Sequence, residues 1–278
     1  YDPATGGSIQ SALDAAAALG ASASTLVVVY PGTALAPTSP IGSAAPRGEY
    51  VENPIMHSGV KLQGVGPGGF QADGTWVPGS IIDGQGFFMD GTTGPAWMAR
   101  VAALQYKNQT VEVPDSQTLT VLTPTSGTGD AKPAIDGFRI VGGHEQGQPT
   151  NVNVVTNGNQ TPYGGLTGGQ AITQGGGIYV HGGSDGLSIN NNVIEGNSGT
   201  YGGAIRVGTP YVNGNIGAND TGATPLTNYT IVNTNLVVAH NRILNNGGYN
   251  LAGAIGLYSG TVGYKVSYND ICGNFGGE

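Results

Sequence analysis

The chain has few charged residues, one cysteine and no long apolar run. Asp, Glu, Lys and Arg together make up only 9% of its 278 residues. The lone Cys272 excludes an internal disulfide and every metal motif built from several cysteines. No apolar run approaches the ~20 residues that a helix needs to cross a bilayer, so we expect no membrane span.

Positive charge is especially scarce, and this restricts the partners. Nine Lys and Arg stand against seventeen Asp and Glu, giving a formal net charge of −8. This charge repels a nucleic-acid backbone, so we expect no nucleic-acid partner. An acidic, Lys-poor surface rich in Asn, Thr and Ser is typical of extracellular bacterial proteins, which predicts a secreted or cell-surface location. Because the chain begins at Tyr1 and stops at Glu278 within a repeat pattern, we expect it to be part of a longer chain whose targeting signals have been removed.

The first half of the chain contains one helical segment and several short strands. Residues 8–19 carry apolar side chains at helical spacing, with Ser8 as the N-cap and Gly20 as the stop. Runs rich in Val, Ile and Leu, bounded by turn residues, predict strands at 25–30, 60–63, 80–83 and 135–141. The 51 glycines indicate that the backbone repeatedly makes tight turns.

The second half contains an internal repeat. Residues 187–199, 236–248 and 264–276 align without a gap. The positions that are the same in all three segments include an Asn, then an Ile, then a second Asn. These positions are Asn192, Asn241 and Asn269, then Ile194, Ile243 and Ile271, then Asn197, Asn246 and Asn274. Such exact recurrence indicates that successive repeats stack in register.

A second motif alternates with the first. A Gly followed by Gly or Ala and then Ile occurs at 176–180, 203–207 and 253–257. The two motifs together predict repeats of about 27 or 28 residues, which is typical of a β-solenoid. Longer intervals elsewhere predict two inserted loops, at 142–174 and 208–235.

These patterns predict an all-β fold, namely a right-handed, single-stranded parallel β-helix with a short N-terminal capping helix. We expect a single domain over 1–278, with a cap at 1–24, early coils at 25–141 and regular coils at 175–278. Ile189, Val238 and Val266 should form one buried file. The Asn residues should form hydrogen-bonded ladders while tolerating left-handed backbone.

The first half of the chain resembles the amino-terminal half of pectate-lyase-like β-helix proteins. The resemblance lies in a helix with Ile-Gln-Ser-Ala-Leu-Asp at 9–14, followed by the segments 27–33, 60–68 and 81–84. The Gly-Gly-Ala-Ile and Ile-x-x-Asn patterns resemble the Asn/Gly-rich β-helix repeats of large bacterial secreted and surface proteins. The resemblance implies the fold but no single activity, because this superfamily includes lyases, hydrolases, epimerases and adhesins.

One outward-facing position suggests a binding groove. Tyr179 and Arg206 occupy the same place in successive coils, and the two-residue period of a strand points both side chains outward. Together with the two inserted loops they could wall a groove for a glycan, with Tyr179 as a stacking platform. The candidate substrate-binding residues are Tyr179, Arg206, Tyr201 and Tyr211, and the weak catalytic candidates are Arg206, Asp185 and His181. A solvated outer face is the simpler interpretation and is favoured.

Other charged positions favour structural roles. Asp83 and Asp136 both lie in Ile-Asp-Gly, where turn chemistry is a sufficient explanation. Arg242 and Asp270 should form an ion pair between adjacent coils. Glu195 finds no second carboxylate at its column positions Leu244 and Cys272, which argues against a glycosidase pair there. We expect no metal and no cofactor, although a lyase-like enzyme would require calcium.

Three hypotheses for the function remain open. The favoured one is a non-catalytic β-helical module that serves as a scaffold or as a glycan- or protein-binding surface. The alternative is a polysaccharide lyase or glycoside hydrolase with a groove on the outer face. The third is an accessory segment of a multidomain extracellular oxidase. The expected partners are a polysaccharide or surface protein and further domains of the same chain.

Overall fold

The computed structural model describes thirteen stretches of the chain. They are residues 8–20, 22–32, 49–85, 96–97, 100, 117–121, 131–144, 176–180, 184–199, 202–208, 233–248, 252–258 and 261–277. The predicted inserted loops at 142–174 and 208–235 lie almost wholly outside these residues.

A short helix, α1 (Ile9–Ala17), forms where the apolar periodicity predicted it. The Ser8 hydroxyl accepts a hydrogen bond from the backbone N–H of Ser11, which satisfies one of the free donors at the helix start. Ile9 and Leu13 are buried on the face that packs against the first strands of the protein. The carboxylate of Glu52 accepts the backbone N–H groups of Ile9 and Gln10, at 2.8 and 3.2 Å, and so joins the helix start to the sheets.

Short strands make up most of the regular structure. The first twelve are β1 (Leu26–Val29), β2 (Glu49–Val51), β3 (Ile55–Met56), β4 (Lys61–Gly64), β5 (Gly69–Phe70), β6 (Trp76–Val77), β7 (Ile81–Asp83), β8 (Leu119–Val121), β9 (Ala134–Asp136), β10 (Arg139–Val141), β11 (Ile178–Val180) and β12 (Ser188–Asn190). The next twelve are β13 (Val193–Glu195), β14 (Ser198–Gly199), β15 (Ile205–Val207), β16 (Asn233–Thr234), β17 (Val237–Ala239), β18 (Arg242–Leu244), β19 (Gly247–Gly248), β20 (Ile255–Leu257), β21 (Thr261–Val262), β22 (Lys265–Ser267), β23 (Asp270–Cys272) and β24 (Phe275–Gly276).

Three parallel sheets contain most of these strands, so the fold is all-β. Sheet A has the order β1-β4-β9-β12-β17-β22, sheet B has the order β2-β7-β10-β13-β18-β23, and sheet C has the order β3-β8-β11-β15-β20. The chain visits A, B and C in the same sequence each time, and each new strand pairs with the strand laid down one repeat earlier. We use "repeat" for one passage through the three sheets.

The register predicted from the sequence repeats is confirmed. Ile189 pairs with Val238, which pairs with Val266. The Ile194 and Ile178 series stack in the same manner, each with its counterparts one and two repeats later. Ile189 and Val238 are fully buried, as predicted, whereas Val266 is 40% exposed. The expected burial is wrong at Val266 because β22 is the edge strand of sheet A and is covered on one side only.

Two ladders of Asn side chains connect the repeats, as predicted. The first runs through Asn192, Asn241 and Asn269, and the second through Asn197, Asn246 and Asn274. In each step the side-chain oxygen of one Asn accepts both the backbone N–H and the side-chain N–H of the Asn one repeat earlier, at 2.8 to 3.1 Å. Each ladder therefore satisfies polar groups that the turns would otherwise leave buried without partners.

The left-handed backbone lies one residue before each ladder position, which corrects the prediction. Asn191, His240 and Tyr268 have φ near +57°, and each precedes an Asn of the first ladder. The physical reason is that two adjacent residues have different roles at the corner, the turn between the strands of sheets A and B. The residue at positive φ turns the chain outward and projects its side chain to solvent, which leaves the next side chain pointing into the stack.

The predicted strand at 135–141 is in fact two strands, β9 in sheet A and β10 in sheet B. Gly137 separates them at φ +77°, and it occupies the same corner column as Asn191. The Asp-Gly pair that ends β9 is thus a corner between sheets and not an interruption within one strand.

Candidate functional site

The proposed groove centres on the outer side of sheet C. Tyr179 and Arg206 are register partners in β11 and β15, as the sequence predicted. Their neighbours in the same strands, Ile178 and Ile205, belong to the hydrophobic core, so the Tyr and Arg side chains lie on the opposite face. The guanidinium carbon of Arg206 lies 4.7 Å from the centre of the Tyr179 ring, which is cation–π geometry.

Both side chains are buried, and this contradicts the expected exposed platform. Tyr179 is 1% exposed and Arg206 is 2% exposed, and Thr120 in the same column is also buried. The Arg206 side chain donates from Nε to the carbonyl of Gly208 at 3.2 Å. A glycan cannot stack on a ring that solvent does not reach. The two-residue period predicted the correct face of the strand, but it carries no information about what covers that face.

Asp185, a weak catalytic candidate, is held in a network at the corner before β12. Its carboxylate forms an ion pair with Lys132 and accepts hydrogen bonds from Thr234 Oγ1 at 2.6 Å and Asn235 Nδ2 at 2.9 Å. The hydrogen bond from Lys132, followed by those from Thr234 and Asn235, lowers the pKa of Asp185 to about 2. A group held ionised by three donors is suited to linking repeats and is unsuited to general acid catalysis. The remaining candidates, His181, Tyr201 and Tyr211, lie outside the described residues.

Arg139 makes a network that the sequence reasoning missed. Its Nη1 forms an ion pair with Glu195, its Nε donates to the carbonyl of Pro67 at 3.0 Å, and its Nη2 donates to the carbonyl of Gly68 at 3.1 Å. Arg139 thereby joins sheet B to the base of the hairpin β5–β6. The signal was present in the register, because Arg139 pairs with Val193 and Glu195 lies two residues further on the same face.

The other charged expectations on sheet B are confirmed. Arg242 pairs in register with Asp270, and their charged groups approach to 3.5 Å with both side chains 62% exposed. Such an exposed pair contributes under ~1 kcal/mol. Glu195 has Leu244 and then Cys272 as its successive register partners, so no second carboxylate joins it there.

Asp83 is buried on the outer side of sheet B. Its Oδ1 accepts the backbone N–H of Gln85 at 2.9 Å, which is the turn chemistry expected of Asp-Gly. The carboxyl is nevertheless fully inaccessible to solvent, which no pattern in the sequence predicted. Burial raises the pKa of Asp83 to about 6, with a smaller upward contribution from the negative charge of Glu49. The folded protein therefore contains a buried carboxyl group whose ionisation is unfavourable.

We expect Asp83→Asn to stabilise the protein at neutral pH. A folded-state pKa raised from 3.8 to about 6 means that the native state holds the proton more tightly, so the free energy of unfolding falls as pH rises across this window. The loss amounts to about 3 kcal/mol above pH 6. The Asn variant keeps the oxygen that accepts the Gln85 N–H and has no such pH dependence. Denaturant unfolding from pH 3.5 to pH 7.5 measures both effects.

Asp73→Asn is the matched control. Asp73 lies in an exposed turn, where hydrogen bonds from the backbone and then the hydroxyl of Thr75 lower its pKa. Replacing it should change the pH profile in the opposite direction from Asp83→Asn. An Asp83→Asn profile that follows the wild type would contradict the assignment of the titration to this carboxyl.

In the part of the chain that the structure describes, no three His, Cys, Asp or Glu side chains lie close enough together to hold a metal ion. Within it, too, no helix is both long enough and apolar enough to cross a bilayer. No protein-family model, curated protein or solved structure matches the chain.

Proposed function

We propose that the three sheets wind as a right-handed parallel β-helix of the pectate-lyase-like kind, and that the protein is a non-catalytic module of a secreted or cell-surface bacterial protein. In this role it is a rigid scaffold that presents a binding surface. The fixed A-B-C order of the sheets and the addition of every new strand at one edge support the winding.

The two Asn ladders are the observation on which the scaffold proposal depends. Each connects three consecutive repeats through side chains that are 0–1% exposed in the inner repeats. A buried amide network of this kind fixes the register of each repeat against the next and resists shear between them. Such rigidity is what a spacer or a display surface requires.

The charged residues support the same role. The Asp185–Lys132 and Arg242–Asp270 pairs each join positions in different repeats, and Arg139–Glu195 joins β10 to β13. The residues of the expected catalytic groove, Tyr179 and Arg206, are buried against each other. The ion pairs therefore hold neighbouring repeats together, and we assign these charged residues no catalytic role.

A degradation assay tests the proposal against the enzymatic alternative. The protein is incubated with polygalacturonate, xylan and soluble glucans, with and without calcium, and new reducing ends and unsaturated products are measured. We expect neither product with any polymer. Degradation by the wild-type protein that is lost in Arg206→Lys would replace the scaffold proposal with a lyase or hydrolase. Circular dichroism of the variant confirms that it is folded.

A further inference from the structure

The hairpin β5–β6 presents an aromatic pair to solvent. Phe70 and Trp76 are cross-strand partners, with ring centres 5.0 Å apart and ring planes at 66°. The Phe70 side chain is 70% exposed. Val77 within the hairpin and Val65 before it are 38% and 49% exposed. Large exposed aromatic side chains on a rigid support commonly mark a binding surface.

The hairpin is rigidly held at its base. Arg139 donates to the carbonyls of Pro67 and Gly68, as described above. The two arms cross closely there, because a Cβ on Gly68 would lie 2.6 Å from both Gly79 N and Val77 O. An aromatic pair that is already fixed loses little conformational entropy when it binds a ligand.

The tip of the hairpin carries the polar groups. Gln71 donates its backbone N–H to the carbonyl of Thr75 at 2.8 Å, and Asp73 Oδ1 accepts the backbone N–H of Thr75 at 2.9 Å. These contacts fix the tip while Asp73 stays exposed to solvent. The Gln71 and Asp73 side chains are both exposed, so the hydroxyls of a ligand beside the rings can reach polar groups there.

We propose that the hairpin β5–β6 binds a neutral polysaccharide, with a sugar ring stacked on Phe70 and its hydroxyls bonded to the polar tip. Sugar rings offer an apolar C–H face to an aromatic ring and hydroxyls at their edges, which matches this arrangement. The inference rests on the proposed function in one respect, since a non-catalytic module retains the polymer and does not cleave it.

Charge selects a neutral polymer. Asp73 is the one charged residue in the sequence between Gly64 and Ser80, and the chain as a whole carries a formal net charge of −8. The positive charge of Arg139 at the base of the hairpin is paired with Glu195. Hydrogen bonds from Thr75 lower the pKa of Asp73, so its carboxylate is ionised at neutral pH. A uronate polymer, a phosphate polymer or an anionic membrane surface would be repelled at this site.

Binding is measured with soluble neutral glucan and xylan, with polygalacturonate as the acidic comparison and zwitterionic lipid vesicles as the apolar one. Affinity electrophoresis gives the association, and tryptophan fluorescence locates it. The chain has two Trp residues and Trp97 is only 6% exposed, so a response to the polymer reports on Trp76. We expect at least one neutral polymer to bind and the polygalacturonate and vesicles not to bind.

Phe70→Ala and Tyr268→Ala form the matched pair. Tyr268 is 77% exposed and lies at a corner of a distant repeat, so its removal should leave binding unchanged. Phe70→Ala should lower the association constant about tenfold or more without a change in the unfolding midpoint. The inference fails if no neutral polymer binds, if polygalacturonate or vesicles bind equally well, or if Phe70→Ala binds as the wild type does. None of these results alters the outcome of the degradation assay, which tests the scaffold proposal separately.

Discussion

Asn246→Ala is expected to lower the free energy of unfolding by about 4–6 kcal/mol, because it leaves several buried groups without partners. Asn246 is fully buried in the middle of the second ladder. Its oxygen accepts two N–H groups of Asn197, at 3.1 and 3.0 Å. Its amide nitrogen lies 2.9 Å from the carbonyl oxygen of Ile194 and 2.8 Å from the side-chain oxygen of Asn274. Equilibrium unfolding in guanidinium measures the loss.

Asn245→Gly is the control for this experiment. Asn245 precedes Asn246, is exposed and sits at φ +54°, and glycine already occupies the same corner at Gly196 and Gly273. We expect a change within about 1 kcal/mol, since glycine adopts this backbone conformation without strain. If the two adjacent substitutions had equal effects, the ladder would not be the source of the stability.

Gly143→Ala is expected to cost about 4 kcal/mol or more, for a steric reason. A Cβ at Gly143 would lie 1.9 Å from the carbonyl oxygen of Gly176 and 2.5 Å from its carbon. Both are backbone atoms, so no side-chain rotation can relieve the overlap. The N–H of Gly143 also donates to the side-chain oxygen of Asn197 at 3.0 Å, and any shift would weaken that bond. The melting temperature and the urea midpoint of the variant test this expectation.

Gly196→Asn separates crowding from the general effect of replacing a glycine. Gly196 lies at φ +64°, and a Cβ built there meets nothing within 4 Å. Its register partner is Asn245, so an Asn side chain is already compatible with this corner. The substitution should change stability by less than about 1 kcal/mol. A Gly143→Ala variant as stable as Gly196→Asn would mean that the close approach to Gly176 is not required.

The sequence predicted the register of the strands well because the same residues recur at the same spacing in each repeat. The Asn and Ile positions recur without a gap, and parallel pairing then places identical residues beside each other at every repeat. The same logic predicted the Arg242–Asp270 pair, since both residues stand at the same position of consecutive repeats.

The spacing of the repeats does not predict two kinds of contact. The first is whether other parts of the chain cover the outer face of a sheet. Tyr179 and Arg206 are buried where exposed side chains were expected, and Asp83 is buried as well. The second is contact between side chains that are not register partners. Arg139 pairs in register with Val193 but forms its ion pair with Glu195, two residues further along β13. The aromatic hairpin was missed for a third reason, because Phe70 and Trp76 belong to no repeat and their pairing is antiparallel.

The ladder contacts also show how this protein can acquire new sequence. Asn192 and Asn241 are 49 residues apart in the chain and Asn241 and Asn269 are 28 apart, yet both pairs make the same hydrogen bonds at 2.9 to 3.0 Å. The geometry of the ladder thus does not depend on the number of residues between one ladder position and the next. Such a junction is a permissive site, where insertions can accumulate during evolution, or foreign peptides can be grafted by design, without changing the frame that carries them.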